Sequence, residues 1–250
     1  MPHPRFTFGW WLELPFTFGD TWKRITPRDA MTQQSCYWWH GKLDREQIGK
    51  IFSSAKSVDI AIRNAEKPDP QWSVTLYELN CLLLAQRAIN AKHVLEVGTY
   101  DGNTTLNMAA NLPADGTLVT IDLPPGQDDP SLAFDVENSL RNIAGRHVVG
   151  REFMDRPEKR FIKQVLGDSA NLDWPALGGP FDLAFIDGCH AYEYVRSDTN
   201  NVLSVMRPGG VVMWHDYTSI PDVARAVDEF EGRFKKLVAV QGTRLALGVV

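Results

Sequence analysis

The fold turns on one stretch, His93-Val94-Leu95-Glu96-Val97-Gly98-Thr99-Tyr100-Asp101-Gly102-Asn103-Thr104-Thr105. It reads as a short apolar strand, His93–Val97, that breaks at a glycine and resumes as a helix over Thr104–Asn111. Glycine at 98 and 102 lets the main chain turn tightly and lets a ligand approach bare backbone. Further along the chain the same strand, turn, helix rhythm repeats. Thr117–Ile121, Phe161–Leu166, Phe181–Ile186 and Gly210–Trp214 read as strands, and Asp135–Ala144, Tyr192–Val205 and Pro221–Phe234 as helices. Phe181–Ile186 is almost continuously apolar, as a strand covered on both faces must be. Lys236–Val240 and Arg244–Val249 are strands joined only by Gln241-Gly242-Thr243, too short for a parallel crossover, so they run antiparallel. The expected architecture is α/β: a doubly wound, mostly parallel sheet with helices on both faces and an antiparallel end.

Residues upstream of this rhythm differ. Trp10, Trp11, Trp22, Trp38 and Trp39 crowd the first 43 positions beside Pro2, Pro4, Pro15 and Pro27, with little periodicity, and Trp72 follows. Such an aromatic arm cannot form a stable domain alone and is expected to lie across another surface. Asp44 with Gln47 resembles a capping box opening a helix through about Ala55. A longer helix is expected over Ser73–Asn90, with Leu76, Leu79, Leu83 and Leu84 on one side. This gives a division into an arm with helices at 1–90 and a ligand-binding domain at 91–250.

Composition narrows the class. Over 250 residues, 44% hydrophobic and 23% charged side chains describe an ordinary globular chain rather than a disordered one. A formal charge of -5 does not favour a protein that grips nucleic acid through phosphates. Cys36, Cys81 and Cys189 have no CxxC spacing, which argues against a disulfide framework and a structural zinc site. No apolar run approaches the roughly 20 residues that span a bilayer, and no signal-peptide pattern opens the chain. A cytoplasmic location is expected.

Ligands of such sheets bind at the carboxyl ends of the strands, and five of these ends carry glycine or an acid. Gly98 and Gly102 follow the first strand, and Asp122 with Leu123 follows the second, where a carboxylate can take hydrogen bonds from ribose hydroxyls. Gly167-Asp168-Ser169, Asp187-Gly188-Cys189-His190 and His215-Asp216-Tyr217 follow the next three. Each alone reads as a turn glycine, a cap or a core histidine. Together they point to a nucleotide-like site.

The series Val94-Leu95-Glu96-Val97-Gly98 with Asp101-Gly102, then Asp122, Gly167-Asp168-Ser169, Phe185-Ile186-Asp187-Gly188 and Arg207-Pro208-Gly209-Gly210 resembles the motifs of class I S-adenosylmethionine-dependent methyltransferases. The resemblance covers about residues 90–250 and is specific as a series. It implies a Rossmann-like, seven-stranded sheet with a reversed terminal strand. Asp187-Gly-Cys-His190-Ala-Tyr-Glu-Tyr, the Pro-Gly-Gly turn and His215-Asp216-Tyr217 are closest to a small-molecule O-methyltransferase branch, whose acceptors include sugars, phenolics and polyketides. The resemblance places Gly98, Thr99, Tyr100 and Gly102 along the methionine part of S-adenosylmethionine, with Glu96 beneath the loop. It places Asp122 and Leu123 at the ribose, Asp168 and Ser169 at the adenine edge, and Asp187 within reach of the cofactor. Tyr100 stands where many members have a third glycine.

Methyl transfer to oxygen is an in-line displacement that needs positioning and a base or cation to take charge from the hydroxyl. His190, Asp187 and His215 are the candidate catalytic residues, with His190 the general base. Asp187, His215 and Asp216 are the candidate ligands of one divalent ion. A histidine in that set suits magnesium less well than a softer transition metal. The expected partner is a small hydroxylated acceptor, with the aromatic arm serving as a lid or as the strap of a homo-oligomer. Two other classes compete. A catalytically silent cofactor-binding subunit would not need His190, and an RNA methyltransferase would need more than the one basic stretch Arg151, Arg156, Lys159, Arg160 and Lys163.

Overall fold

A computed structural model describes residues 40–65, 74–124, 133 and 148–250. The tryptophan-rich arm before His40, Trp72 and the helix expected at Asp135–Ala144 lie outside them. The strands are β1 (Arg45–Glu46), β2 (His93–Val97), β3 (Thr117–Asp122), β4 (Ile162–Leu166), β5 (Phe181–Ile186), β6 (Met206–Trp214), β7 (Lys236–Val240) and β8 (Ala246–Val249). They form one eight-stranded sheet in the order β1-β7-β8-β6-β5-β2-β3-β4. Only β8 is reversed, antiparallel to both β6 and β7. The five-residue connection between β7 and β8 accounts for this, since it can turn the chain back but cannot cross the sheet. All seven expected strands are present. The eighth, β1, adds a short parallel edge beside β7.

Strand residues alternate between two cores, as a period of two requires. Leu95, Val97, Ala184, Ile186, Val212 and Trp214 face one cluster with Val195 and Val202 of α5 (Tyr192–Val205) and Val223 and Val227 of α6 (Pro221–Asp228). Val94, Leu118, Leu183, Phe185, Val211 and Met213 face the other, with Leu79, Leu82 and Leu83 of α2 (Leu76–Ala88), Leu106 and Met108 of α3 (Asn103–Ala110) and Phe153 of α4 (Arg151–Met154). Both faces are covered, which explains the nearly continuous apolar run of β5. Helix α2 packs into this core through Leu79, Leu82 and Leu83, whereas Leu76, expected on the same side, is exposed. Among the described residues no helix is long and apolar enough to cross a membrane.

The start of the described chain departs from expectation. Residues 45–46 pair with β7, and Asp44 and Glu46 carbonyls accept from the N–H groups of Ala239 and Gln241. Gln47 then caps the one-turn helix α1 (Ile48–Ile51) without a side-chain hydrogen bond. Pairing the exposed edge of β7 prevails over the local helix signal there. The real capping box lies at Thr75 and Glu78 and opens α2. Helix α6 is also shorter than expected. It ends at Asp228, whose carboxylate accepts from the Tyr217 hydroxyl and the Lys42 N–H.

The extended segment through Ala61 and Arg63 is fastened along α3 by asparagines one turn apart. Asn111 Oδ1 accepts from Ala61 N–H at 2.8 Å and its Nδ2 donates to Ala61 O at 2.7 Å. Asn107 repeats the pattern on Arg63, accepting at 2.7 Å and donating at 3.1 Å. The side-chain amides thus take the place of a neighbouring strand. Replacing Asn111→Ala leaves both main-chain groups of Ala61 unpaired and is expected to cost about 1–3 kcal/mol in urea unfolding.

Candidate active site

The strand order changes direction between β2 and β5, since β3 and β4 lie on one side of β2 while β5 and β6 lie on the other. Open α/β sheets bind ligands at this switch point. Here the two strand ends touch. Asp187 N–H donates to Val97 O at 2.8 Å, and a Cβ at Gly98 would lie 2.0 Å from the Asp187 carbonyl oxygen. With φ at +98°, only glycine fits there without moving β5. Tyr100 follows at φ +49°, a left-handed conformation that carries a strain cost for a residue with a Cβ. Its N–H donates to Asp122 Oδ2 at 2.6 Å, which holds the loop in that shape. The other oxygen, Asp122 Oδ1, accepts from Leu123 N–H. Burial pushes the Asp122 carboxyl up, opposed by main-chain donors of Tyr100, Leu123 and Thr99.

Glu96 lies beneath this loop, fully buried. Its Oε2 accepts from Thr105 at the start of α3 and from Thr120 of β3, and Thr120 also meets Thr99 at 2.6 Å. Its Oε1 has no partner. Burial, aided by the charges of Asp187 and Asp122, pushes the carboxyl up to about 8. Asp168 caps the turn after β4: Oδ1 accepts from Ala170 N–H, and Oδ2 accepts from Ala133 N–H and Asn171 Nδ2. Ser169 beside it is half-buried, in a short turn packed against α5, the helix that carries Asp198. Burial pushes Asp198 up to about 7 and the Cys189 thiol up to about 11, so Cys189 holds its proton and is no nucleophile at neutral pH.

The ends of β5 and β6 bring a second group together. One ligand atom each from Asp187, His190 and Asp216 lies within 4.8 Å of the others. His190 Nε2 is 3.4 Å from Asp216 Oδ2 and 3.8 Å from Asp187 Oδ1, is buried, and has no hydrogen-bond partner. His215, expected to be the histidine of the ion-binding set, sits differently. Its Nδ1 faces Asp187 Oδ1 at 3.1 Å and Asp216 Oδ2 at 3.3 Å, and its Nε2 faces Glu78 Oε2 at 3.3 Å. Carboxylates only accept, so both ring nitrogens carry protons and His215 is an imidazolium. Burial opposes that charge, but Asp187, Asp216 and Glu78 together raise its pKa well above the ordinary value. With no free lone pair it can neither ligate an ion nor take a proton. The geometry therefore sets His190 in its place beside the two aspartates.

Sequence reading missed Glu78 and Arg244. Glu78, the capping-box residue of α2, accepts from Arg244 N–H at 2.8 Å, from Arg244 Nε at 3.0 Å and from Nη2 at 2.9 Å. Arg244 Nη1 also donates to Asp216 Oδ1 at 2.9 Å. Burial pushes the Glu78 and Asp216 carboxyls up, but His215 and Arg244 outweigh it and hold both well below the carboxylate range. Asp187 shifts down for the same reason, with His215 charge against its burial. The pattern Thr75-x-x-Glu78 could have marked Glu78 as a cap, but no local signal ties a helix cap to a residue in a distant hairpin.

Residues 95–217 match a known family described as a methyltransferase domain. The chain is 26% identical to caffeoyl-CoA O-methyltransferase 2 of Zea mays over 58% of this chain and 50% of that protein. It is 29% identical to catechol O-methyltransferase of Mycobacterium tuberculosis over 47% of this chain and 46% of that one. The chain thus spans about half the length of the curated relatives it matches. Its fold is similar to that of the O-methyltransferase TomG of Streptomyces achromogenes, involved in tomaymycin synthesis and solved with S-adenosylmethionine, with TM-score 0.51, 20% identity, and coverage of 80% of this chain and 96% of that one.

Two outcomes are expected of this site. Glu96 prefers its protonated form when folded, so its stabilisation is complete below pH 4.5 and is lost as pH rises to about 8. Glu96→Gln, which mimics that form, should remove this loss; urea unfolding from pH 5 to 8 should show wild type falling relative to the variant by at most about 1.4 kcal/mol per pH unit. Glu78→Gln leaves His215 and Arg244 without their shared anion and should destabilise by about 3–5 kcal/mol in the same assay.

Proposed function

We propose that this chain, whose residues 95–217 match a family described as a methyltransferase domain, is a class I S-adenosylmethionine-dependent enzyme that transfers a methyl group to a hydroxyl of a small molecule. The observation that carries this reading is the contact of the two strand ends. The Gly98 turn and the Asp187–His190 segment share one junction, so a cofactor on the glycine loop and an acceptor at His190 would be neighbours. The Gly98–Gly102 loop, whose glycines are packed against Asp187 and against Gly150 and Phe153, and the Asp122 carboxylate beside it fit the methionine and ribose parts of S-adenosylmethionine. That cofactor supplies an electrophilic methyl group when bound. The chain's own task is to position the acceptor oxygen in line and remove its proton.

His190 is assigned as the base. Its Nε2 has no hydrogen-bond partner among the described residues, and Asp187 and Asp216 stand ready to stabilise the imidazolium that forms. His215 does not share this work, because both its nitrogens are engaged. Its role is to hold the aspartates in place. Phenolic hydroxyls are the favoured acceptors, since the curated relatives are named for caffeoyl-CoA and catechol. The basic stretch offers little to an RNA backbone. Arg151 pairs with Glu152, Arg156 donates to Asn64, and Lys159 and Arg160 lie over Phe153 and Phe161.

A second reading rests on the clustering of the three ligand atoms. Asp187, His190 and Asp216 would hold one divalent ion, which would supply Lewis-acid charge to the acceptor oxygen. The mixed oxygen and nitrogen set, with an orphaned imidazole nitrogen aimed into it, fits such an ion.

Calorimetry with S-adenosylhomocysteine tests the cofactor site first. Micromolar binding is expected, weakened by at least about tenfold in Asp122→Ala; no binding to folded protein would overturn the reading. On a panel of catechols and simple phenols, His190→Ala should lower turnover by about 10²–10⁴ while leaving S-adenosylhomocysteine affinity unchanged. Activity lost to chelator and restored by manganese or magnesium would select the ion-assisted reading.

A further inference from the structure

Asp216 differs from the other acids of the site in its backbone. It takes the left-handed conformation at φ +55°, which carries a strain cost for a residue with a Cβ. Strain of that kind persists only where the surroundings hold it, and here donors hold both the main chain and the side chain. The Asp216 carbonyl accepts from Ser219 N–H at 3.1 Å and from Ile220 N–H at 3.0 Å. The carboxylate is divided between two tasks. Oδ1 accepts from the Ser219 hydroxyl at 2.7 Å and from Arg244 Nη1 at 2.9 Å. Oδ2 lies 3.3 Å from His215 Nδ1 and 3.4 Å from His190 Nε2.

The terminal torsion of an aspartate is broad, so nothing in the residue itself aims Oδ2. Two donors on Oδ1 supply the aim. Arg244, in the connection between β7 and β8, is itself anchored from both sides. Its N–H donates to Glu78 Oε1 at 2.8 Å, and its carbonyl accepts from Tyr217 N–H at 2.8 Å. The guanidinium therefore starts from a fixed point and spans two acids, with Nε and Nη2 on Glu78 and Nη1 on Asp216. An ammonium could neutralise one of them, but only a planar fork reaches both in a fixed geometry.

We propose that Arg244 and Ser219 are positioning residues of the transfer reaction, holding Asp216 Oδ1 so that Oδ2 stays aimed at His190. This rests on the reading of His190 as the base. In that reading the acceptor hydroxyl gives its proton to His190 Nε2 while its oxygen takes the methyl group, and the sulfonium leaves as a neutral thioether. The new imidazolium N–H then has Asp216 Oδ2 beside it to take its charge. Arg244 and Ser219 act through the direction of one carboxylate, not on the reacting atoms.

The test combines kinetics on the most active catechol or phenol of the panel with crystal structures of the variants. Arg244→Lys keeps a cation for Glu78 but has no second nitrogen for Asp216. It should lower kcat by about tenfold or more with S-adenosylhomocysteine affinity unchanged. Ser219→Ala should lower kcat in the same sense with KM unchanged, and Ser219→Thr, which keeps the hydroxyl, should restore it. In both impaired variants the Asp216 carboxylate should be rotated away from His190. Wild-type kcat in Arg244→Lys and Ser219→Ala, or impairment with the carboxylate still aimed at His190, overturns the proposal. Loss of S-adenosylhomocysteine binding in parallel with kcat does the same, since the two residues then only support the fold. A wild type inert toward every phenol overturns the phenolic reading instead, and the orientation of Asp216 in the variants still decides whether these two donors hold it.

Discussion

The site depends on how closely two strand ends approach. Gly98 can follow β2 only because it has no side chain, since the Asp187 carbonyl occupies the space a Cβ would need. The contact fixes the turn between β2 and α3 against the turn after β5. Everything on the first turn, including Tyr100 and its bond to Asp122, is thereby set at a constant distance from everything on the second, including His190. Parallel strands of a doubly wound sheet diverge in their connections at this point, leaving a crevice. The chain uses that crevice for two sets of groups and uses one glycine to hold them in register.

Much of this was legible because it is local. Five strand ends bearing glycine or acid can be read from the order of residues, and the alternation of Leu183, Ala184, Phe185 and Ile186 between two cores follows from the strand period. The reversed β8 was legible from loop length alone. What failed was equally local reasoning applied where a distant partner prevails. Asp44 and Gln47 carry a helix-start signal, but the open edge of β7 offers main-chain hydrogen bonds that a first helical turn lacks. The same kind of box at Thr75 and Glu78 faces no such competitor and opens a helix.

The candidate site was legible in its residues but not in its pairings. His190, His215, Asp187 and Asp216 stand out as chemical groups at strand ends, yet sequence order does not say which histidine meets which acid. Glu78 decides it. By accepting at His215 Nε2 it forces the far side of that ring toward Asp187 and Asp216, which leaves His190 as the imidazole with an unengaged nitrogen. Glu78 lies more than a hundred residues before His215 and Arg244. Their meeting is a product of the sheet order, which sets β8 beside β6 and so carries the hairpin arginine to the end of the strand that bears His215.

Charge explains why such a cluster is tolerable. Buried ions repay their desolvation only when paired with good geometry. Glu78, Asp187 and Asp216 are carboxylates, and Arg244 and the His215 imidazolium lie among them in direct contact. Three anions against two cations leave one negative charge over, and it is shared by the two aspartates that face His190. A positive charge arriving there, whether a proton on the imidazole or a divalent ion between the carboxylates, completes the balance. The fold thus spends its fixed cations on holding the acids in place and leaves the last charge for whatever the reaction brings.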